Sequence, residues 1–534
     1  MAKSPRSVLE EPQAVAVTLD ETPPVDPQLT SDRSFFGHPR GLSTLFMTEM
    51  WERFSYYGIR PLLVLFMTAA LMDGGFGFPR DQASAIVGIY AGSVYLASLP
   101  GGWVADRLLG LRRAILYGGI LIAAGHLSIG TASFAGSKVP FFVGLILIVL
   151  GTGLLKPNIS AIVGDLYPEG GARRDAGFSI FYMGINIGAF AGQLISGYLG
   201  EQVGWHLGFG AAGVGMLLGL IIYVLRARRT LGEIGMRPTR LSDAVAQQRQ
   251  ERRVKLTVGV VLGLLGVVIV LAATGAITLD AVSINQNMTY VLVGAAVVYF
   301  GYLYTAGGLT GDEKRRVAVI GVLFVAAAVF WSAFEQAPTS LNLFARDFTE
   351  RQIGGFEIPA TWFQSINSLF VILFAPVAAA TWVGLARRRG DLSSPAKLAI
   401  GLLLAGLGFL LMIFAANRVV ESGGTLKVSA WWLVWSYFFQ TIGELALSPV
   451  GLSSMTKLSP RRYVGQMMGV WFLATSVGNL IAGRVGGHVD PEKLDQMPQL
   501  FTATTLSLVI SAAVLGLLVL PIRRMMREVP VQAR

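Results

Sequence analysis

Cysteine is absent from this 534-residue chain, so it can form neither a disulfide nor a thiolate metal site. Histidine is nearly absent: the four residues are scattered, and no His/Cys set has metal-ligand spacing. Charge is scarce as well, at 14% against about a quarter in soluble domains. That scarcity, with 53% hydrophobic residues and a mean hydropathy of +0.58, excludes an ordinary soluble domain. No glycine-rich nucleotide loop follows a strand and no paired catalytic motif is present, so an enzyme is not indicated and no cofactor is expected. No polar region is large enough for an ATP-hydrolysing domain. What is plentiful is glycine, with 64 residues, which suits helices packed closely within lipid. The net charge of +11 does not mark a nucleic-acid binder, because the positive residues sit between apolar runs, as in loops on the inner side of a membrane.

Residues 1–40 are polar, proline-rich and acidic at Glu10, Glu11, Asp20, Glu21 and Asp26, and read as a disordered cytoplasmic tail without the pattern of a signal peptide. Fourteen apolar stretches follow, each long enough to cross a bilayer. They lie near 41–70, 84–105, 112–133, 139–164, 176–199, 206–226, 254–276, 288–308, 317–345, 360–386, 396–416, 430–454, 464–484 and 500–523. Successive loops alternate between basic and nearly neutral. The basic set includes Arg112-Arg113, Arg173-Arg174, Arg226 to Lys255, Lys314 to Arg316, Arg387 to Arg389, Arg461-Arg462 and Arg523-Arg524, which places these loops and both termini in the cytoplasm. The long basic connection after the sixth span and a shorter one after the eighth divide the chain six-two-six. The expected units are 41–227 (a six-helix bundle), 228–316 (a linker carrying two extra spans), 317–523 (a second bundle) and the tail 524–534. Two six-span halves are the plan of the major facilitator fold, an all-α membrane architecture. The segment Gly102-Trp103-Val104-Ala105-Asp106-Arg107, followed by Arg112-Arg113, resembles the loop signature of that superfamily.

Ionisable groups inside the membrane carry the functional signal. The first span holds Glu49, Glu52, Arg53, Tyr56, Tyr57 and Arg60 at helical same-face spacing. Four charges on one stripe facing lipid would cost roughly 10 kcal/mol, so the stripe is expected to face the interior. Lys156, Glu335 and Glu444 are single charges in three other spans. Counting depth along each helix sets Arg60 level with Glu335 on the outer side, and Lys156 level with Glu49, Glu52 and Glu444 on the inner side. Arg60–Glu335 and Lys156–Glu444 then join opposite halves, as bridges that make and break during alternating access would. Trp331 lies one turn before Glu335 and Trp471 one turn before Thr475. Tyr90 and Tyr95 share the second span, and Asn186 and Asn367 are mid-span amides. Pro157 is expected to kink the fourth span at Lys156.

Three motifs make the resemblance specific. Glu49-Met50-Trp51-Glu52-Arg53-Phe54-Ser55-Tyr56-Tyr57, Phe181-Tyr182-Met183-Gly184-Ile185-Asn186-Ile187-Gly188 and Gly443-Glu444-Leu445-Ala446-Leu447-Ser448-Pro449-Val450-Gly451-Leu452 resemble those of the proton-dependent oligopeptide transporter family, bacterial type. The resemblance covers the chain from about 41 onward. It implies a proton-coupled symporter importing di- and tripeptides by alternating access, working as a monomer in the bacterial inner membrane, with peptide, protons and lipids as partners. It further implies proton coupling by Glu49, Glu52, Arg53, Lys156 and Glu335. The peptide carboxylate would lie near Arg53, Tyr57 and Lys156, and its amino end near Asn186, Asn367 and Glu444. Tyr56, Tyr95, Trp331, Trp471 and Thr475 would line the side-chain pocket, with Glu335 and Ser448 as further substrate-site residues. The gating bridges would be Arg60–Glu335 and Lys156–Glu444. Thr475 replaces a serine familiar in the family and Ser368 a proline, both bearing on pocket shape. A carrier of nitrate or another small anion, and a channel, are the competing transport readings. The complete first-span motif together with Lys156 favours peptide.

Overall fold

The computed structural model describes residues 26–527 except 136, 241–242 and 390–391. Fourteen long helices follow one another: α1 Arg40–Thr68, α2 Arg80–Val104, α3 Leu111–Ala135, α4 Val139–Asp165, α5 Gly171–Tyr198, α6 Trp205–Leu231, α7 Ala244–Ala273, α8 Ala281–Thr305, α9 Gly311–Phe334, α10 Trp362–Arg389, α11 Ser394–Glu421, α12 Trp431–Leu458, α13 Val464–Val485 and α14 Gln496–Arg527. Local chemistry marks their starts. Asp243 and Asp280 cap α7 and α8 with side-chain carboxylates, and Thr310 and Glu313 form a capping box on α9. The segment 26–39, expected within the tail, is packed here: Asp26 caps the short helix Pro27–Ser31, and Arg173 donates to the carbonyls of Thr30 and Asp32. Residues 1–25 and 528–534 lie outside the described residues.

Helices α1–α6 pack among themselves and α9–α14 do likewise. The halves meet with pseudo-two-fold logic. The second helix of one half packs on the fifth of the other at both seams, α2 on α13 and α5 on α10. Small residues permit the α2–α13 seam. A Cβ on Gly88 would stand 2.8 Å from the Asn479 carbonyl oxygen, and one on Gly483 2.6 Å from the Gly88 Cα. Helix α8 is tied to this seam by Asn285, whose Nδ2 donates to the Ala85 carbonyl, and by Tyr299, whose hydroxyl donates to Gln466.

Prolines shape three helices differently. α4 runs on through Pro157 as one continuous helix. Proline removes the N–H that would bond the Gly153 carbonyl, and that oxygen faces Gly101 of α2 so closely that a Cβ there would lie 2.0 Å away. α1 likewise continues through Pro61. The ninth span, expected unbroken over 317–345, ends its α-helix at Phe334, passes through a π turn at Ala337–Leu341 and resumes as Asn342–Phe348. Pro338 clashes with the Phe334 carbonyl four residues back, so Glu335 sits at a break rather than inside a helix. The segment after α2 is a π turn, Ala105–Leu109, rather than an open loop.

Candidate functional site

A cavity of about 290 Å³ lies between the halves. Its walls include Glu49, Arg53, Tyr57 and Arg60 of α1, Tyr95 of α2, Lys156 of α4 and Asn186 of α5 from the first half. From the second come Trp331 and Glu335, Asn367 of α10, Glu444 of α12, and Trp471 and Thr475 of α13. The structure thus brings together most of the residues expected from sequence. Two members of the first-span stripe are set back. Glu52 and Tyr56 are buried but do not line the cavity. At about 100° per residue the six-residue stripe spans about 140° of the helix, too wide for one wall, and Glu52 and Tyr56 fall on its far edge. Tyr56 stacks on Tyr90, with ring centroids 6.0 Å apart. The Ser448 side chain lies outside the described residues.

Arg53 joins two carboxylates. Its Nε is 2.9 Å from Glu49 Oε1 and 2.5 Å from Glu52 Oε2, and all three side chains are at most 3% exposed. The Arg53 guanidinium also lies 5.4 Å from the Tyr56 ring centroid. A buried arginine between two carboxylates leaves one negative charge over, which a proton or a second cation can neutralise. Lys156 lines the cavity on the same side as this cluster. Its Nζ stands 4.2 Å over the Tyr95 ring, a cation–π contact. On the opposite wall Asn367 donates to Thr441 Oγ1 at 2.9 Å and to Glu444 Oε2 at 3.2 Å, which fixes the carboxylate facing the first half.

The two predicted bridges differ. Arg60 and Glu335 are in direct contact, and Arg60 also reaches Asn479 Oδ1 at 3.4 Å. Among the described residues no ion pair joins Lys156 to Glu444, the bridge expected at the basic end. Further cross-half contacts gather at the end away from the basic loops. The Glu201 carboxylate, after α5, accepts from the Ala360 and Thr361 N–H groups at 2.8 and 2.9 Å and from Thr361 Oγ1 at 2.7 Å. Trp362 Nε1 donates to the Leu194 carbonyl, and Asn342 Nδ2 to that of Pro61. Arg80 pairs with Asp347 at 2.6 Å, and Arg346 donates to Thr68.

Sequence reasoning missed several wall residues: Tyr182, Gln193, Gln364, Tyr437, Gln440 and Phe472. Helical spacing held the signal, since Gln193 is seven after Asn186, Gln364 three before Asn367 and Gln440 four before Glu444. Gln193 Oε1, Gln364 Nε2 and the Trp331 indole N–H have no partner among the described residues.

Two pseudo-symmetric bundles around buried charges, sealed at one end, make a membrane carrier. Residues 112–498 match the sequence profile of the POT family, and the chain belongs to that family. It is 52% identical over 500 residues to the peptide transporter YePEPT of Yersinia enterocolitica, covering 93% of this chain and 97% of that one. It is 40% identical to a di-/tripeptide transporter of Lactococcus lactis subsp. cremoris, over 85% of this chain and 90% of the relative. In structure it resembles a crystallised peptide transporter POT bound to sulfate, with a TM-score of 0.84 and 41% identity over 93% of this chain and 98% of that one.

Proposed function

We propose that the protein is a proton-coupled symporter that brings di- and tripeptides into a bacterial cell through the inner membrane by alternating access. It has both termini in the cytoplasm and works as a monomer. The observation that carries this reading is the charge layout of one cavity. Arg53 and Lys156 stand on one wall and Glu444, held by Asn367, on the other. A short peptide is a zwitterion whose ends such walls match, while Tyr57, Tyr95, Trp331, Trp471 and Thr475 leave its side chains an aromatic space. Family membership supports the same reading, as do relatives named for peptide and di-/tripeptide transport.

In this reading the closed end, away from the basic loops, is the outer one. The Arg60–Glu335 contact and the Glu201 bonds hold that end shut, and Lys156 and Glu444, engaged by Tyr95 and Asn367 rather than by each other, leave the basic end free. A proton on Glu335 removes the charge that holds Arg60 and opens the outer end. A peptide carboxylate arriving at Arg53 and Lys156 competes with Glu49 and Glu52, and the carboxylate it displaces is the second proton acceptor. Pairing of Lys156 with Glu444 closes the inner end in the outward-facing state.

The test is uptake of labelled dialanine by proteoliposomes with and without an inward proton gradient. Glu335→Gln is expected to abolish driven uptake while retaining exchange, and Lys156→Ala to abolish driven uptake. Full gradient-driven uptake in both variants, or uptake of nitrate in place of dialanine, would overturn the reading. Acetylating the dipeptide's amino group is expected to weaken its competition for uptake.

A further inference from the structure

Helix α8 is bonded to the transport bundles, but α7 is nearly free of them. Of its thirty residues only Val254 is buried, and its main neighbour is the π turn Ala105–Leu109. A spanning helix with one buried residue has almost no protein surface to hold it. At that point of contact a cleft of about 340 Å³ opens between α7 and the end of α2. Trp103 and Arg107 line it from one side and Arg249, Gln250, Arg253 and Val254 from the other, with no acidic side chain in its wall. Arg107 lies 5.7 Å from the Trp103 ring centroid. Among the described residues none of the three arginines has a carboxylate partner, and the nearby Glu251 is engaged by Gln247 at 2.9 Å. The cleft sits where α7 passes from its charged first turns into an apolar run. Leu256, Val260, Val261 and Leu264 of that run are all exposed. A charged-to-apolar transition of this kind on the basic face is where lipid headgroups are expected.

We propose that this cleft binds the phosphodiester headgroup of an anionic phospholipid of the cytoplasmic leaflet, and that the lipid pins α7 to the first bundle. Three guanidinium groups suit one phosphate, whose oxygens match the arginine fork, and the nearest carboxylates, Asp106 beside Arg107 and Glu251 on α7, lie outside the cleft wall. An indole at headgroup depth packs beside it, and the acyl chains lie along the exposed apolar side of α7. A zwitterionic headgroup brings a cation of its own, which the three arginines repel.

The experiment titrates phosphatidylglycerol onto the delipidated full-length protein, reading bound lipid by native mass spectrometry and stability by thermal unfolding. Phosphatidylcholine with the same chains and inorganic phosphate are the comparisons. Phosphatidylglycerol is expected to bind at least tenfold more tightly than phosphatidylcholine and to raise Tm. The Arg249→Ala/Arg253→Ala variant is expected to lose that preference, whereas Arg387→Ala/Lys457→Ala, with two charges removed from the second half, keeps it. Equal loss in both variants means diffuse charge attraction, and equal stabilisation by free phosphate means an anion site without a lipid; either result overturns the proposal. Should the first variant fail to fold, a photoreactive phosphatidylglycerol is cross-linked to the unmodified protein. Labelling within 103–107 and 246–256 supports the site, and labelling only elsewhere refutes it.

Discussion

The carboxylate of Glu201, at the end of the first half's α5, takes the place of an N-cap for α10 in the second half. It accepts the Thr361 N–H at 2.9 Å and the Thr361 hydroxyl at 2.7 Å. Orphan N–H groups at a helix start ordinarily find a cap within their own chain segment. Here the cap crosses the interface that alternating access must open. Hydrogen bonds to a charged group contribute roughly 1.5–3 kcal/mol each, so Glu201→Ala is expected to shift the population toward the outward-open form by tenfold or more. Because the chain lacks cysteine, paired spin labels on two introduced cysteines flanking the outer seam read this without background. Unchanged distance distributions would refute it.

Gly197 is the neighbouring control point. A Cβ there would stand 2.1 Å from Thr361 Oγ1, a side chain itself held by Glu201. Gly197→Ala is expected to wedge α5 from α10 and cut gradient-driven uptake at least tenfold. Gly210→Ala, with nothing within 4 Å of the added carbon, leaves uptake unchanged. Equal activity in the two variants would show that the seam tolerates the separation.

Asn367 holds Glu444 in place, so Asn367→Ala should weaken recognition of the peptide's amino end. Loss of a bond to a charged group predicts a roughly ten- to hundredfold rise in KM for dialanine. Competition by N-acetylated dialanine, which lacks the ammonium, should hardly change. A fall in kcat at constant KM would assign Asn367 a different role.

Away from the membrane spans, His38 supplies a pH dependence. Its Nδ1 lies 2.9 Å from the Tyr167 hydroxyl. Burial, and then the Arg173 charge, hold the imidazole below its ordinary range, while burial pushes the Tyr167 phenol up to about 12. The docked segment favours neutral His38, so the undocked state binds more protons. Docking is therefore at full strength above the ordinary histidine value of about 6.5 and weakens as pH falls below it. Hydrogen exchange of residues 27–38, corrected for intrinsic rate, is expected to accelerate between about pH 7.5 and 5.5. A flat profile rules this out.

Much of this protein could be read from its residues one stretch at a time. Hydropathy marked the long apolar helices, because the bilayer demands a long apolar run for every crossing. The cost of burying charge pointed Glu49, Arg53 and Arg60 inward, and helical rise alone paired Arg60 with Glu335. The break at Glu335 was legible too, in Pro338, but the apolar run around it hid the signal.

Other features were set only by the tertiary structure. Glu201 lies in the π turn Leu199–Val203 that follows α5, and its partners are 159 and 160 residues away, so nothing local marks it as a cap. Glu52 and Tyr56 carry the same spacing as their neighbours yet turn from the cavity, because the packing of α1, chiefly against α5 and α6, decides which part of a wide polar arc meets the opening. Lys156 and Glu444 are level by count but unpaired in this state. Sequence determines which groups the membrane forces inward, through a solvation cost paid residue by residue. Which of those groups meet depends on how two rigid bundles are rotated against each other, and that is a property of the assembled fold.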